Sequence, residues 1–199
     1  AMELFRQLLP PDPRLQQIRE MNERQVLHLT RLVDDLLDVA RIKSGRVTLK
    51  LEPLTVPRIV GEVVASTAPL FEARGLRLIV EQSDEALPVE GDSVRLGQVL
   101  SNLLNNAAKY TPEGGEIRLS TSREGGNAVI EVADNGLGMD AETLGRIFEV
   151  FSQGPRGPER GESGLGLGLT LAQRLAELHG GGIEASSPGP GRGSRFRIR

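Results

Sequence analysis

Cysteine and tryptophan are both absent from the 199 residues. Without thiols there is neither a disulfide framework nor a thiolate metal site. Aromatic residues are scarce, at 3% of the chain. No apolar run reaches the ~18 residues that a membrane-spanning helix needs, and no signal-peptide pattern is visible. A formal net charge of −3 argues against nucleic-acid binding as the main function, because such surfaces are strongly basic. The length suits one good domain, or a domain with an appendage.

Glycine, by contrast, is abundant: 24 residues, of which twelve lie between Gly154 and Gly193. Such clustering suggests backbone that approaches a ligand closely, although mobile loops produce it too. The opening Ala1-Met2 looks like a cloning remnant, and the final "GSRFRIR" stops inside a strand pattern. Both features suggest a segment of a longer protein.

The N-terminal part reads as helical. "PPDP" (Pro10–Pro13) is a turn between a short stump, Met2–Leu9, and a long helix over roughly Arg14–Lys43. In that helix Val26, Leu29, Val33, Leu36 and Ala40 recur at spacings of three and four. A lone helix cannot bury so broad a stripe, so a hairpin partner, a second chain or the adjoining domain must cover it.

After Lys43 the pattern changes. "RVTLKLEPL" alternates like a strand, and a helix follows from Val56, then a strand in "LRLIVEQ". The next helix spans "DSVRLGQVLSNLLNNAAKYT", with Asp92 as its N-cap. "GEIRLSTSRE" and "NAVIEVADN" form a hairpin around Gly125–Gly126. A short helix over Ala141–Ile147, a polar Gly/Pro-rich loop over Ser152–Ser163, a helix in "GLTLAQRLAELHGG" and a last hairpin complete the chain. Mixed helices and hairpins imply an α+β sandwich: a mostly antiparallel sheet with helices on one face.

Four short patterns are candidates for chemistry. Asn102, Asn106 and Lys109 fall on one helix face. Amide oxygens suit Mg²⁺, and a lysine suits a phosphate oxygen; helix capping and core hydrogen bonding explain asparagines equally well. "DNGLGM" places Asp134 at a strand end, where a buried carboxylate needs a donor such as the amino group of adenine. Guanine presents a carbonyl there and would be repelled. The same residues also make an ordinary turn. Gly164, Gly166 and Gly168 open a helix, where backbone N–H groups bind phosphate, but GxGxG alone is weak evidence. Phe148 and Phe151 are spaced like a helical anchor pair, either for core packing or as a hinge.

In combination, the order and spacing of these patterns resemble the catalytic ATP-binding domain of the sensor histidine kinases of two-component systems. Asn102, Asn106, Lys109 and Tyr110 match the N box, and Asp134, Gly136 and Gly138 match the G1 box. Phe148 and Phe151 match the F box, and Gly164, Gly166 and Gly168 the G2 box. The likeness runs from about Leu54 to Arg199. The preceding "ERQVLHLTRLVDDLLDVARIKSG" resembles the second helix of the family's dimerisation and phosphotransfer hairpin.

The resemblance implies a Bergerat-type α/β sandwich over residues 54–199, a linker strand over 46–53 and a truncated helical hairpin over 1–45. It implies ATP and Mg²⁺ as ligands. Asn106, with Asn102 beside it, would hold the metal; Lys109 and Tyr110 would flank the nucleotide; Asp134 would read the adenine amino group. Leu165, Leu167 and Ser194 would join Gly136, Gly138, Gly164, Gly166 and Gly168 around the nucleotide. The loop Gln153–Ser163, with Arg156 and Arg160, would be a lid that is mobile without nucleotide. A response-regulator receiver domain would be the partner, and the hairpin would form a homodimer in a cytoplasmic part of the parent.

One departure stands out. The family's phosphoacceptor histidine sits in a His-acid-Arg-Pro motif of the first hairpin helix, and no such motif occurs here. The two histidines are His28, on the long helix without an adjacent acid, and His179, at a helix C-terminus where a cation would favour the dipole. Neither reads as the acceptor.

Overall fold

The computed structural model describes residues 13–43, 47–152 and 166–199. The stump and the lid therefore lie outside the described residues, as do Arg156, Arg160, Gly164 and Leu165. Helix α1 spans Pro13–Lys43. It is followed by β1 (Glu52–Thr55), α2 (Val56–Ala73), β2 (Arg77–Glu81), β3 (Pro88–Gly91) and α3 (Ser93–Tyr110). Then come β4 (Glu116–Glu124), β5 (Asn127–Asp134), α4 (Ala141–Arg146), α5 (Gly168–Leu178), β6 (Ile183–Ser186) and β7 (Ser194–Ile198).

Five strands form one sheet in the order β2-β4-β5-β7-β6. β2 runs parallel to β4, and the remaining neighbours are antiparallel. This is the mixed, mostly antiparallel α+β architecture that the sequence implied. Strand alternation divides the sheet residues between two faces. Ile117, Leu119, Val132, Phe196 and Ile198 point into the core. The other face is a ladder of surface ion pairs, such as Arg118 with Glu81 and Arg197 with Glu124.

Helices α2, α3 and α5 supply the other half of the core. Their buried positions follow the helical period: Val56, Ile59, Val60, Val63, Thr67 and Phe71 on α2; Val99, Leu100, Leu103, Leu104, Ala107 and Ala108 on α3. A central helix packed on this side leaves its opposite edge for polar groups.

Two expectations need correction. Residues 47–51 form no strand. The Lys50 N–H donates to Asp92 Oδ2 at 3.0 Å, so this backbone is tied to a helix cap and not to a ladder. The strand begins at Glu52 and pairs with β3 in a separate two-stranded sheet; β3 carries no alternating pattern and escaped the sequence reading. Phe148 and Phe151 do not share a helix either, since α4 ends at Arg146. Phe148 packs against the core, but Phe151 is 61% exposed with φ +65°.

Helix α1 meets the globular body near its C-terminal end. Asp38 is buried there and accepts hydrogen bonds from Arg95 Nη1 at 2.7 Å and Gln98 Nε2 at 3.1 Å. Val26, Leu29, Val33 and Leu36 are each about half exposed along its length.

Candidate functional site

The site is built on α3. Asp92 starts this helix by accepting from Arg95 N–H at 3.1 Å. Burial alone would raise the Asp92 carboxyl, but backbone N–H groups of Lys50, Arg95 and Val94 outweigh it and hold the group below its ordinary range. His179 completes the cap: its Nε2 accepts the Asp92 N–H at 3.1 Å while Nδ1 lies 2.7 Å from the Leu175 carbonyl. His179 thus serves as an acceptor for the backbone at the start of α3.

Asn102, Asn106, Lys109 and Tyr110 are all half-buried at the edge of α3. The Asn102 side-chain amide donates to the Gly168 carbonyl at 3.1 Å, which joins α3 to the start of α5. Asn106 makes no hydrogen bond through its side chain to another described residue. Lys109 makes no ion pair among them, and its Nζ lies 5.0 Å from the centre of the Tyr110 ring. The Tyr110 carbonyl accepts the Leu137 N–H at 3.0 Å, so the Asp134–Met139 loop is fastened to the end of α3.

Asp134 stands at the end of β5, paired in register with Ile117 of β4 and Ser194 of β7. Its Oδ1 accepts from Gly136 N–H at 2.9 Å and Ser194 N–H at 3.3 Å. Oδ2 has no partner among the described residues. Burial raises this carboxyl above the usual range, and the two N–H groups only partly counteract it. Gly136 and Gly138 are required by crowding: a Cβ would overlap the Tyr110 carbonyl oxygen at the first and the Gly189 carbonyl oxygen at the second. Gly138 also has φ +62°.

Residues 152 and 166, on either side of the undescribed segment, meet near the start of α5. Gly166, at φ +70°, lies against the Ser152 carbonyl where a Cβ would collide. Leu167 is buried, and Gly168 sits in the first turn of α5 beside Asn102. Thr170 Oγ1 donates to the Phe148 carbonyl at 2.9 Å. Direct contacts thus join Asn102 to Gly168, and Asp134 to Gly136 and Ser194 with Gly136 against Tyr110, while Gly138 packs against Gly189. Sequence reasoning missed Thr170, Ser187 and the capping role of His179, because a hydroxyl or a ring nitrogen gains such a role only from distant backbone.

Among the described residues, no helix is long and apolar enough to cross a membrane. Among the described residues, no group of three or more His, Cys, Asp or Glu side chains is suited to a metal ion.

Known proteins share this fold and much of this sequence. Residues 91–199 match the family model "Histidine kinase-, DNA gyrase B-, and HSP90-like ATPase". The alginate biosynthesis sensor protein KinB of Pseudomonas aeruginosa is 34% identical over 198 residues, covering 98% of this chain and 32% of KinB. The sensor protein DivL of Caulobacter vibrioides is 36% identical over 168 residues, covering 84% of this chain and 21% of DivL. The chain therefore spans a third or less of the length of these relatives. Full-length ShkA, solved with AMPPNP, superposes with a TM-score of 0.79 at 28% identity, over 96% of this chain and 39% of ShkA. On these matches the chain belongs to the histidine kinase-, DNA gyrase B- and HSP90-like ATPase family, alongside the sensor histidine kinases of two-component systems.

Proposed function

We propose that the chain is the Mg·ATP-binding catalytic part of a sensor histidine kinase, acting on a histidine outside this chain for relay to a response-regulator aspartate. The observation that carries the reading is Asp134: one carboxylate oxygen is held by two backbone N–H groups, and the other is left for a ligand donor. An adenine amino group is such a donor, and a guanine carbonyl is not.

The residues present fit a magnesium ion. Asn106 offers an amide oxygen that no described side chain or backbone group uses, with the oxygen of Asn102 a turn away. Mg²⁺ would neutralise phosphate charge there, and Lys109 supplies a further positive charge that no described residue pairs with. Phosphoryl transfer asks mainly for positioning and charge neutralisation. Gly168 and Gly166 admit phosphate close to the start of α5.

Intrinsic hydrolysis, the activity of the related ATPases, needs a general base on the helix that holds the metal ligand. Asn102 occupies the position one turn before Asn106, and an amide serves no such role. The engagement of both His179 ring nitrogens supports an acceptor histidine elsewhere. A purely regulatory module with a degenerate nucleotide site is the remaining alternative.

Calorimetry with ATP and GTP, with and without Mg²⁺, tests the reading. Mg²⁺-dependent binding with ATP preferred, lost in Asn106→Ala, is the expected result. Equal affinity for both nucleotides would remove the assignment of Asp134. With γ-labelled ATP the chain alone is expected to remain unlabelled on histidine. A separate polypeptide that supplies the first hairpin helix should accept phosphate slowly, because effective concentration is lost between chains. Good ATP binding with no transfer in trans would favour the regulatory module.

A further inference from the structure

Resting on the nucleotide reading above, we propose that Ser187 is a positioning residue that aims the adenine-reading carboxylate of Asp134. Ser187 lies just after β6, 53 residues from Asp134 in sequence. Its Oγ accepts the Met139 N–H at 2.9 Å and donates to the Gly193 carbonyl at 2.8 Å. Met139 is only 7% exposed, so its N–H needs this acceptor.

The second bond has the larger consequence. The Gly193 carbonyl and the Ser194 N–H belong to one peptide unit, and that unit is planar. Holding the carbonyl on one side therefore fixes where the N–H points on the other. It points at Asp134 Oδ1, at 3.3 Å. Gly193 has φ +73°, and glycine is the residue least able to hold a peptide plane by its own sterics. A Cβ there would overlap the Asp134 carbonyl oxygen, so a stiffer residue cannot take its place. The hydroxyl supplies the restraint that the glycine lacks. Through Met139 it also fastens the Asp134–Met139 loop to the turn before β7, alongside Gly193 N–H to Gly136 O at 3.0 Å.

Without the hydroxyl, the 193–194 peptide can rotate, and Asp134 loses one of the two donors that orient it. The part of binding that passes through the adenine amino group should suffer, and the part that passes through ribose and phosphates should not.

The test compares Mg·ATP with the Mg²⁺ complex of purine riboside triphosphate, which lacks only the amino group, by calorimetry. In the wild type ATP should bind more tightly. In Ser187→Ala, ATP affinity should fall about tenfold while the analogue changes less than about twofold, within the few tenths of a kcal/mol expected for an uncoupled site. Ser187→Thr, which keeps the hydroxyl, should restore the preference. In an Asp134→Ala background, Ser187→Ala should cost nothing further, because the group it aims is gone.

Equal losses for both nucleotides would make Ser187 merely structural and overturn the proposal, as would a preference that survives intact. A wild type that does not distinguish the two nucleotides would overturn the reading of Asp134 as well. If Ser187→Ala melts below the assay temperature, Ser187→Cys carries the same comparison. A weak thiol donor should give an intermediate preference, and an unchanged one would refute the idea.

Discussion

The side-chain amide of Asn102 on α3 donates to the Gly168 carbonyl in the first turn of α5, at 3.1 Å. This bond holds together the two helices that the nucleotide reading places on either side of the phosphates. Exchanging the NH₂ for an oxygen in Asn102→Asp leaves the carbonyl facing a second acceptor. The substitution should cost about 1–3 kcal/mol, read by urea denaturation of the nucleotide-free protein. A variant as stable as the wild type would show that the bond contributes nothing.

The buried carboxylate of Asp134 carries a cost in stability. Burial raises its folded pKa, so between the unfolded and folded values the native state binds more protons than the unfolded state. Its contribution to stability therefore falls as pH rises through that window, and the penalty is complete above the folded pKa. Asp134→Asn removes the charge and keeps an acceptor for Gly136 and Ser194. Its melting temperature at neutral pH should exceed that of the wild type, and the difference should shrink towards pH ~4, the ordinary carboxylate value. The same variant would turn an NH₂ towards the base, so ATP should lose about tenfold in affinity and GTP should gain relative to it. Thermal melts across pH and calorimetry with both nucleotides check the two halves separately.

Arg95 and Asp38 join α3 to the long helix. The pair has side-chain exposures of 25% and 12% with an N–O distance of 2.7 Å, and Gln98 supplies a second donor to the same oxygen. Arg95→Ala leaves the buried carboxylate with an amide alone, which should cost about 1–3 kcal/mol. A double-mutant cycle with Asp38→Ala should return a coupling of about 1 kcal/mol. Hydrogen exchange should accelerate in the C-terminal part of α1 and leave the five-stranded sheet unchanged. Acceleration spread evenly over the sheet would mean that the pair supports the core and does not clasp the helix.

Phe148 and Phe151 should respond in opposite ways. Phe148→Ala removes packing against the core and should destabilise by about 2 kcal/mol. Phe151 is exposed and has a left-handed backbone that costs a non-glycine residue about 1 kcal/mol. Phe151→Gly relieves that strain while adding unfolded-state freedom, so its stability should stay within about 1 kcal/mol of the wild type. Loss of Mg·ATP binding in such a stable variant, read by calorimetry, would show that Phe151 serves the site and not the core; a large loss of stability would contradict its exposure.

Much of this was legible in the chain itself. Helical periods marked α2 and α3, because a helix that buries one face must repeat its apolar residues every three or four positions. The Asp92 cap was legible because capping is a local interaction between a side chain and the next turn. The placement of Asn102 and Asn106 on one helix followed from their spacing, and that of Asp134 from the end of a strand pattern. What the tertiary structure decided is which backbone groups meet across distance. Strand β3 exists only because β1 lies beside it, and residues 47–51 are not a strand because Lys50 finds Asp92. Phe148 and Phe151 share a helical spacing, but the helix ends before them, and a left-handed turn points one outward. The glycines at 136, 138 and 193 are required by carbonyl oxygens of residues up to 59 positions away. The hydroxyls of Thr170 and Ser187 and the ring of His179 acquire their roles in the same way. Local patterns record which residue types a helix, a strand or a turn needs; only the packed chain brings the distant partners within hydrogen-bond reach.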